Sequence, residues 1–248
     1  MILVTPTYNR FQECIELIKS ADQQSIKPTQ IIVLDNSGEG RFSEYLKQQE
    51  TITDIPIDVI VSNINLGCAR GWNLLLQVAY ECNPEEWVLV ANDDIKLHPE
   101  AIEYFLKEVG KHKDPIYCAG GIASPNAFSL FVTRYDILKD SVGLFDEMFL
   151  YPYCEDGDMY VRLKLAGFDL VRVSGVSADH IGSATLKAYS EVETELHHIR
   201  FKRNAEYFML KWGIDHNSIH HGKPYAEPFN GENGRLLTHS YIKNMYGA

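Results

Sequence analysis

Apolar and polar positions along this chain follow two periods in turn. Ile2–Thr5 is a short apolar run, the pattern of a strand buried on both faces. Arg10–Gln24 follows with Phe11, Ile15 and Ile18 at helical spacing. Gln30–Leu34 is a second apolar run, and it ends at the turn sequence Asp35-Asn36-Ser37-Gly38. Ile57–Val61 predicts a third strand. Gly67–Cys82 predicts a helix with Trp72, Leu75, Leu76 and Ala79 on one face. Trp87–Ala91 predicts a fourth strand running into Asn92-Asp93-Asp94, and Pro99–Val109 the next helix.

This β-α-β-α order predicts an α/β fold, a mostly parallel central sheet with helices on both faces. Ligands of such sheets bind beyond the carboxyl ends of the strands. Three polar clusters fall there: Thr5–Asn9, Asp35–Ser37 and Asn92–Asp94. The second half is less regular. It predicts a strand at Phe128–Thr133, a short helix over Asp158–Ala166 stopped by Gly167, and a strand at Asp169–Val173 followed by a loop to His180. A long helix, Glu191–Trp212, carries Phe201, Ala205 and Phe208. After Gly213 the chain turns polar and rich in Gly, Pro, Asn and His, so Ile214–Ala248 reads as a C-terminal extension.

A length of 248 residues suits one such domain with a small appendage. The formal net charge of −11 makes duplex nucleic acid a poor default partner. Arg200, Lys202 and Arg203 form the densest basic patch, which fits a solvated helix face. The five cysteines include no CxxC pair, which points to free thiols in a reducing compartment. The N-terminus enters a strand without a basic leader, and no apolar run approaches the roughly 20 residues that span a bilayer. A cytoplasmic protein is expected, one that reaches any membrane-bound acceptor from the water side.

Three places carry candidate chemistry. A carboxylate in Asn92-Asp93-Asp94, at a buried strand end, suits a hard divalent cation, Mg²⁺ or Mn²⁺, that in turn holds a diphosphate. A helix cap or Asx-turn is the plainer use of the same residues. Glu155-Asp156-Gly157-Asp158 puts three carboxylates at a helix start, after the aromatic run Phe149-Leu150-Tyr151-Pro152-Tyr153. They suit either the helix dipole or a half-buried base. His180 follows a strand, as a structural residue or a ligand. His216, His220 and His221 lie in the polar tail and are read as solvated.

Taken in order, seven segments form a pattern. They are Thr5-Pro6-Thr7-Tyr8-Asn9-Arg10, Asp35-Asn36-Ser37, Asn65-Leu66-Gly67-Cys68-Ala69-Arg70-Gly71-Trp72-Asn73, Asn92-Asp93-Asp94, Val142-Gly143-Leu144-Phe145-Asp146, Glu155-Asp156-Gly157-Asp158 and His180. The pattern closely resembles glycosyltransferase family 2, of GT-A fold, particularly its rhamnosyltransferase-like members, over about residues 1 to 212.

The resemblance implies a GT-A domain over residues 1–213, with a nucleotide-sugar half (1–115) and an acceptor and catalytic half (116–213) that forms a smaller mixed part. It implies that Thr5, Tyr8 and Asp35 hold the nucleotide base and that Gly67 and Arg70 line the donor pocket. Asn92, Asp93 and Asp94 match a DXD-type motif with Asn in first place, so Asp94 is the main metal ligand. His180 completes the metal or diphosphate site. Asp156 is the catalytic base, with Glu155 its neighbour. An inverting transfer follows, from a UDP-, dTDP- or GDP-linked donor to a carbohydrate or lipid-linked glycan, with Mn²⁺ or Mg²⁺.

Competing readings make different demands. A sugar nucleotidylyltransferase needs a Gly-rich basic loop where Thr5-Pro6-Thr7-Tyr8-Asn9 stands. A non-catalytic sugar-nucleotide-binding module has no use for Glu155-Asp156. A glycosyltransferase acting on a modified nucleic acid base is disfavoured by the acidic balance, although recognition of a flipped base is local.

Overall fold

Strand β1 (Ile2–Thr7) sits near the middle of a seven-stranded sheet and sets its architecture. A computed structural model describes residues 1–50, 52–120, 126–180 and 191–213. After β1 come α1 (Phe11–Asp22), β2 (Gln30–Asp35), α2 (Arg41–Lys47), β3 (Ile57–Val61), α3 (Gly67–Cys82), β4 (Val88–Ala91), β5 (Ile95–Leu97) and α4 (Ala101–Glu108). Then follow β6 (Ile116–Ala119), a 3₁₀ turn (Asn126–Ser129), β7 (Leu130–Thr133), α5 (Tyr135–Ser141), α6 (Glu155–Leu165), β8 (Leu170–Val173), β9 (Ala178–His180) and α7 (Glu191–Trp212).

The sheet runs β3-β2-β1-β4-β7-β6-β8. The first four strands are parallel, β7 is antiparallel to both its neighbours, and β8 is parallel to β6. The expected mostly parallel sheet is present, and it continues from the first half of the chain into the second through the β4–β7 pairing. Successive strand residues point to opposite faces. Leu3, Ile31, Val33, Leu89 and Ala91 therefore pack towards α1 and α4, and Ile2, Val4, Ile32, Leu34, Val88 and Val90 towards α3. Burying each such Leu, Ile or Val contributes roughly 1.5–3 kcal/mol. Both faces are covered, which is why these strands read as unbroken apolar runs.

Several elements depart from the sequence expectation. β1 and β2 run further, to Thr7 and Asp35, so their polar ends stay in the sheet. The expected helix at Asp158 begins earlier, at Glu155, so Glu155 and Asp156 lie in its first turn. His180 ends a strand rather than a loop: β9 pairs antiparallel with β5, with Ile95 opposite His180. Three residues of polar and apolar mixture are too short to show a period. β6 is a four-residue apolar run between turns, and its neighbours pair with it from far along the chain. The tail 214–248, with His216, His220 and His221, lies outside the described residues.

Candidate active site

The carboxyl ends of β1, β2 and β4 converge on one cavity of about 410 Å³. One wall comes from the sheet: Pro6, Thr7 and Tyr8 after β1, Asn36 after β2, and Asn92, Asp93 and Asp94 after β4, with His180 beside them. The start of α3 adds Asn65, Gly67 and Cys68. Further lining comes from Tyr151, Pro152 and Tyr153, from Glu155 and Asp156 at the start of α6, and from Glu193, Leu196, His197 and Arg200 of α7.

The β5–β9 pairing brings His180 Nε2 to 3.2 Å from Asp94 Oδ1. Among the described residues no group of three or more His, Cys, Asp or Glu side chains is arranged to hold a metal ion. A two-residue site still fits a cation that arrives with a diphosphate, since Mg²⁺ binds through one or two carboxylates and completes its shell with water and phosphate oxygens. Asp93 has a different environment. Burial pushes its pKa up to about 7 and the Asp94 charge adds to this, while the Thr7 hydroxyl, the Tyr8 amide and Arg10 pull it down.

Glu155 and Asp156 are adjacent but unequal. Glu155 is 3% exposed, and its Oε2 is buried without a hydrogen-bond partner. Burial, then the Asp156 charge, push its pKa well above the ordinary value, and the Cys68 thiol beside it is raised by burial in turn. Asp156 is only half-buried, lines the cavity, and accepts the Gly157 amide through Oδ1 at 2.7 Å. Burial disfavours the charged form of Glu155, whereas Asp156 lines the cavity with access to a substrate.

Strained backbone holds this region in place. Tyr151 and Cys154 are non-glycine residues at φ 63° and 84°. A Cβ on Gly67, itself at φ 75°, would lie 2.7 Å from the Tyr151 nitrogen and 2.8 Å from its Cα, so only glycine allows α3 to meet this loop. Asn204 of α7 donates to the Leu150 and Tyr153 carbonyls at 3.0 and 2.9 Å. Asn73 of α3 exchanges hydrogen bonds with the Phe145 backbone at 2.9 and 3.0 Å. Beneath the loop, Lys211 Nζ reaches Asp146 Oδ2 and Asp158 Oδ1, each at 2.6 Å. Arg162 Nε and Trp212 Nε1 also donate to Asp158, both at 2.9 Å.

A model of glycosyl transferase family 2 matches residues 2–164, more than half of the chain. The chain belongs to glycosyl transferase family 2. No curated protein matches it in sequence. Its fold is that of known GT-A glycosyltransferases. The S. aureus TarS 1–349 structure in complex with UDP-GlcNAc superposes with a TM-score of 0.58 at 15% identity, over 99% of this chain and 72% of that one. The mannosyltransferase PcManGT from Pyrobaculum calidifontis, in complex with GDP-Man and Mn²⁺, superposes with a TM-score of 0.56 at 14% identity, over 98% and 70%. Against a longer S. aureus TarS chain the TM-score is 0.57 at 13% identity, and this chain spans 43% of that length.

The structure gathers Tyr8, Gly67, Asn92, Asp93, Asp94, Glu155, Asp156 and His180 around this cavity of the glycosyltransferase. Three expected residues are placed elsewhere. The Thr5 side chain is fully buried in β1. Asp35 is fully buried too: Oδ1 accepts the Ser37 amide at 3.0 Å, and Oδ2 the Phe42 and Ser43 amides at 2.8 and 3.4 Å. Its carboxylate is committed to the start of α2, and Asn36 is the β2-end residue that borders the cavity. Arg70 turns away to pair with Glu147 at 3.5 Å. The contributions of Arg200 and Lys211 were missed. Their signal is on α7 itself, where His197, Arg200, Asn204 and Lys211 recur at helical spacing on the side of the buried Phe208.

Proposed function

We propose that this family 2 glycosyltransferase is an inverting enzyme that moves a sugar from a nucleoside diphosphate to an acceptor hydroxyl, with Asp156 as the base. The observation that carries this reading is one cavity lined by two carboxylate centres from different elements, Asp94 with His180 at the ends of β4 and β9 and Asp156 at the start of α6. A leaving diphosphate needs positive charge beside it and the attacking hydroxyl needs a base on the far side. Inversion by one direct displacement uses both at once.

Asp94 and His180 would hold a Mn²⁺ or Mg²⁺ ion, which when bound offsets the charge that grows on the diphosphate. Tyr8 offers an aromatic face for the base of a UDP, dTDP or GDP donor, with Asn36, Asn65 and Gly67 around it. Asn92 supplies an amide near the diphosphate. Asp156, with the buried Glu155 as its neighbour, takes the acceptor proton as the oxygen attacks the anomeric carbon. GDP-Man with Mn²⁺ in PcManGT and UDP-GlcNAc in TarS support a donor of this class.

The acceptor is a carbohydrate or lipid-linked glycan, in glycan or polysaccharide synthesis. Residues 1–115 serve the donor and 116–213 the acceptor, with 214–248 an extension. All five cysteines are free, and no helix among the described residues is long and apolar enough to cross a membrane. A cytoplasmic enzyme agrees with both. The test is nucleotide release from a panel of UDP-, dTDP- and GDP-sugars with Mn²⁺, with the product's anomeric configuration read by NMR. Release from one donor class, an inverted product and loss in excess chelator are expected. No release from any donor, or a retained configuration, contradicts the reading.

A further inference from the structure

We propose that Arg200 and the Tyr151 ring beneath it form an acceptor subsite for an anionic group, so that the natural acceptor is a glycan bearing a carboxylate or phosphate near the attacked hydroxyl. This rests on the transferase reading above. Arg200 is the one Arg or Lys among the described residues that line the cavity. Its guanidinium carbon lies 3.8 Å from the centroid of the Tyr151 ring. A guanidinium stacked on a ring keeps its edge N–H groups free for a bidentate partner.

The cavity also holds Asp93, Asp94, Glu155, Asp156 and Glu193, yet Arg200 forms no ion pair with any described carboxylate. A cation with no carboxylate partner among the described residues, in a carboxylate-lined cavity, is placed for an anion that comes from outside. Its location assigns that anion to the acceptor. Tyr151 lies on the segment that leads into Asp156, the proposed base, whereas Asp94 and His180 meet where the ends of β5 and β9 pair. His197, one turn earlier on α7 and 5.6 Å from the Tyr153 ring, is held below its usual pKa by burial and by His198 and Arg200. Arg200 is therefore the permanent positive charge of this wall.

The experiment compares matched acceptors: p-nitrophenyl β-glucuronide against the β-glucoside, and glucose 6-phosphate against glucose. Each is assayed with wild-type, Arg200→Gln and Arg200→Lys proteins, and each is measured for binding by calorimetry without donor. The expected result is tighter binding of at least one anionic probe by the wild type. Arg200→Gln then raises the KM for that probe about 10- to 100-fold, the range of a lost charge-assisted hydrogen bond. Arg200→Lys recovers part of it, and the neutral partner shifts less than about twofold. The carboxylate and phosphate arms tell the two sources apart. Equal losses with neutral and anionic probes, a loss confined to donor KM, or no anion preference in the wild type would each overturn the proposal. Absence of nucleotide release by the wild type counts against the transferase reading instead, and calorimetry still decides the subsite.

Discussion

Lys211→Met is the sharpest test of how helix α7 holds the catalytic loop. The ammonium is 1% exposed and lies between two carboxylates that are almost fully buried, Asp146 and Asp158. With Arg162 the four side chains carry a net charge of zero. Methionine keeps most of the volume but leaves one buried carboxylate uncompensated, which costs about 3–5 kcal/mol. At about 2–4 °C per kcal/mol for a chain of this size, Tm falls by roughly 6–20 °C. The sign of the pH dependence is also fixed. In the wild type burial works to raise the Asp146 pKa, but the Lys211 charge and hydrogen bond outweigh it, and the pKa is lowered. Its contribution to stability is therefore present above the unfolded carboxylate pKa and lost as pH falls through the folded one. In Lys211→Met burial is opposed only by the Met148 amide and the Tyr207 hydroxyl, so that pKa rises and protonation relieves the variant first. The Tm gap to wild type should narrow as pH is lowered from about 7.5 to 5. Thermal unfolding followed by circular dichroism reads both effects. A gap under about 2 °C at neutral pH, or one that widens on acidification, refutes the reasoning.

Two further changes probe the two walls. Gly67→Ala forces a Cβ into the Tyr151 backbone at a positive φ costing about 1–2 kcal/mol on its own; Tm should fall by about 2–8 °C and donor KM should rise, as measured by unfolding and nucleotide release. Asp94→Ala should lower nucleotide release by about 10²-fold or more and remove its response to added Mn²⁺, with Tm close to wild type; full metal-dependent turnover in that variant counts against Asp94 as a ligand.

The sheet was legible because its strands are buried on both faces and the helices between them carry a clear apolar stripe. Asn92–Asp94 and Glu155–Asp156 were legible as polar breaks at the ends of such elements. The register of β5 with β9 was not, because three residues have no period, yet that register is what brings His180 to Asp94. Asp35 shows another limit. A carboxylate at a strand end serves a ligand or a following helix equally well in sequence, and here the amides of Phe42 and Ser43 take it. The spacing of Lys211 on α7 could be read, but its partners could not: Asp146 and Asp158 lie 65 and 53 positions away and meet it only after α7 folds back.

The central claim is that Asp156 is the base and that donor binding lies elsewhere. Asp156→Asn keeps the shape of the side chain and its bond to the Gly157 amide while removing the basic oxygen. The decisive measurement is the acceptor-dependent kcat of this variant beside its donor affinity by calorimetry with Mn²⁺. The account predicts a kcat lower by about 10²–10⁴, with donor affinity within about threefold of wild type. Near-normal turnover in Asp156→Asn together with an inactive Glu155→Gln, or a loss of donor affinity as large as the loss of kcat, would contradict it.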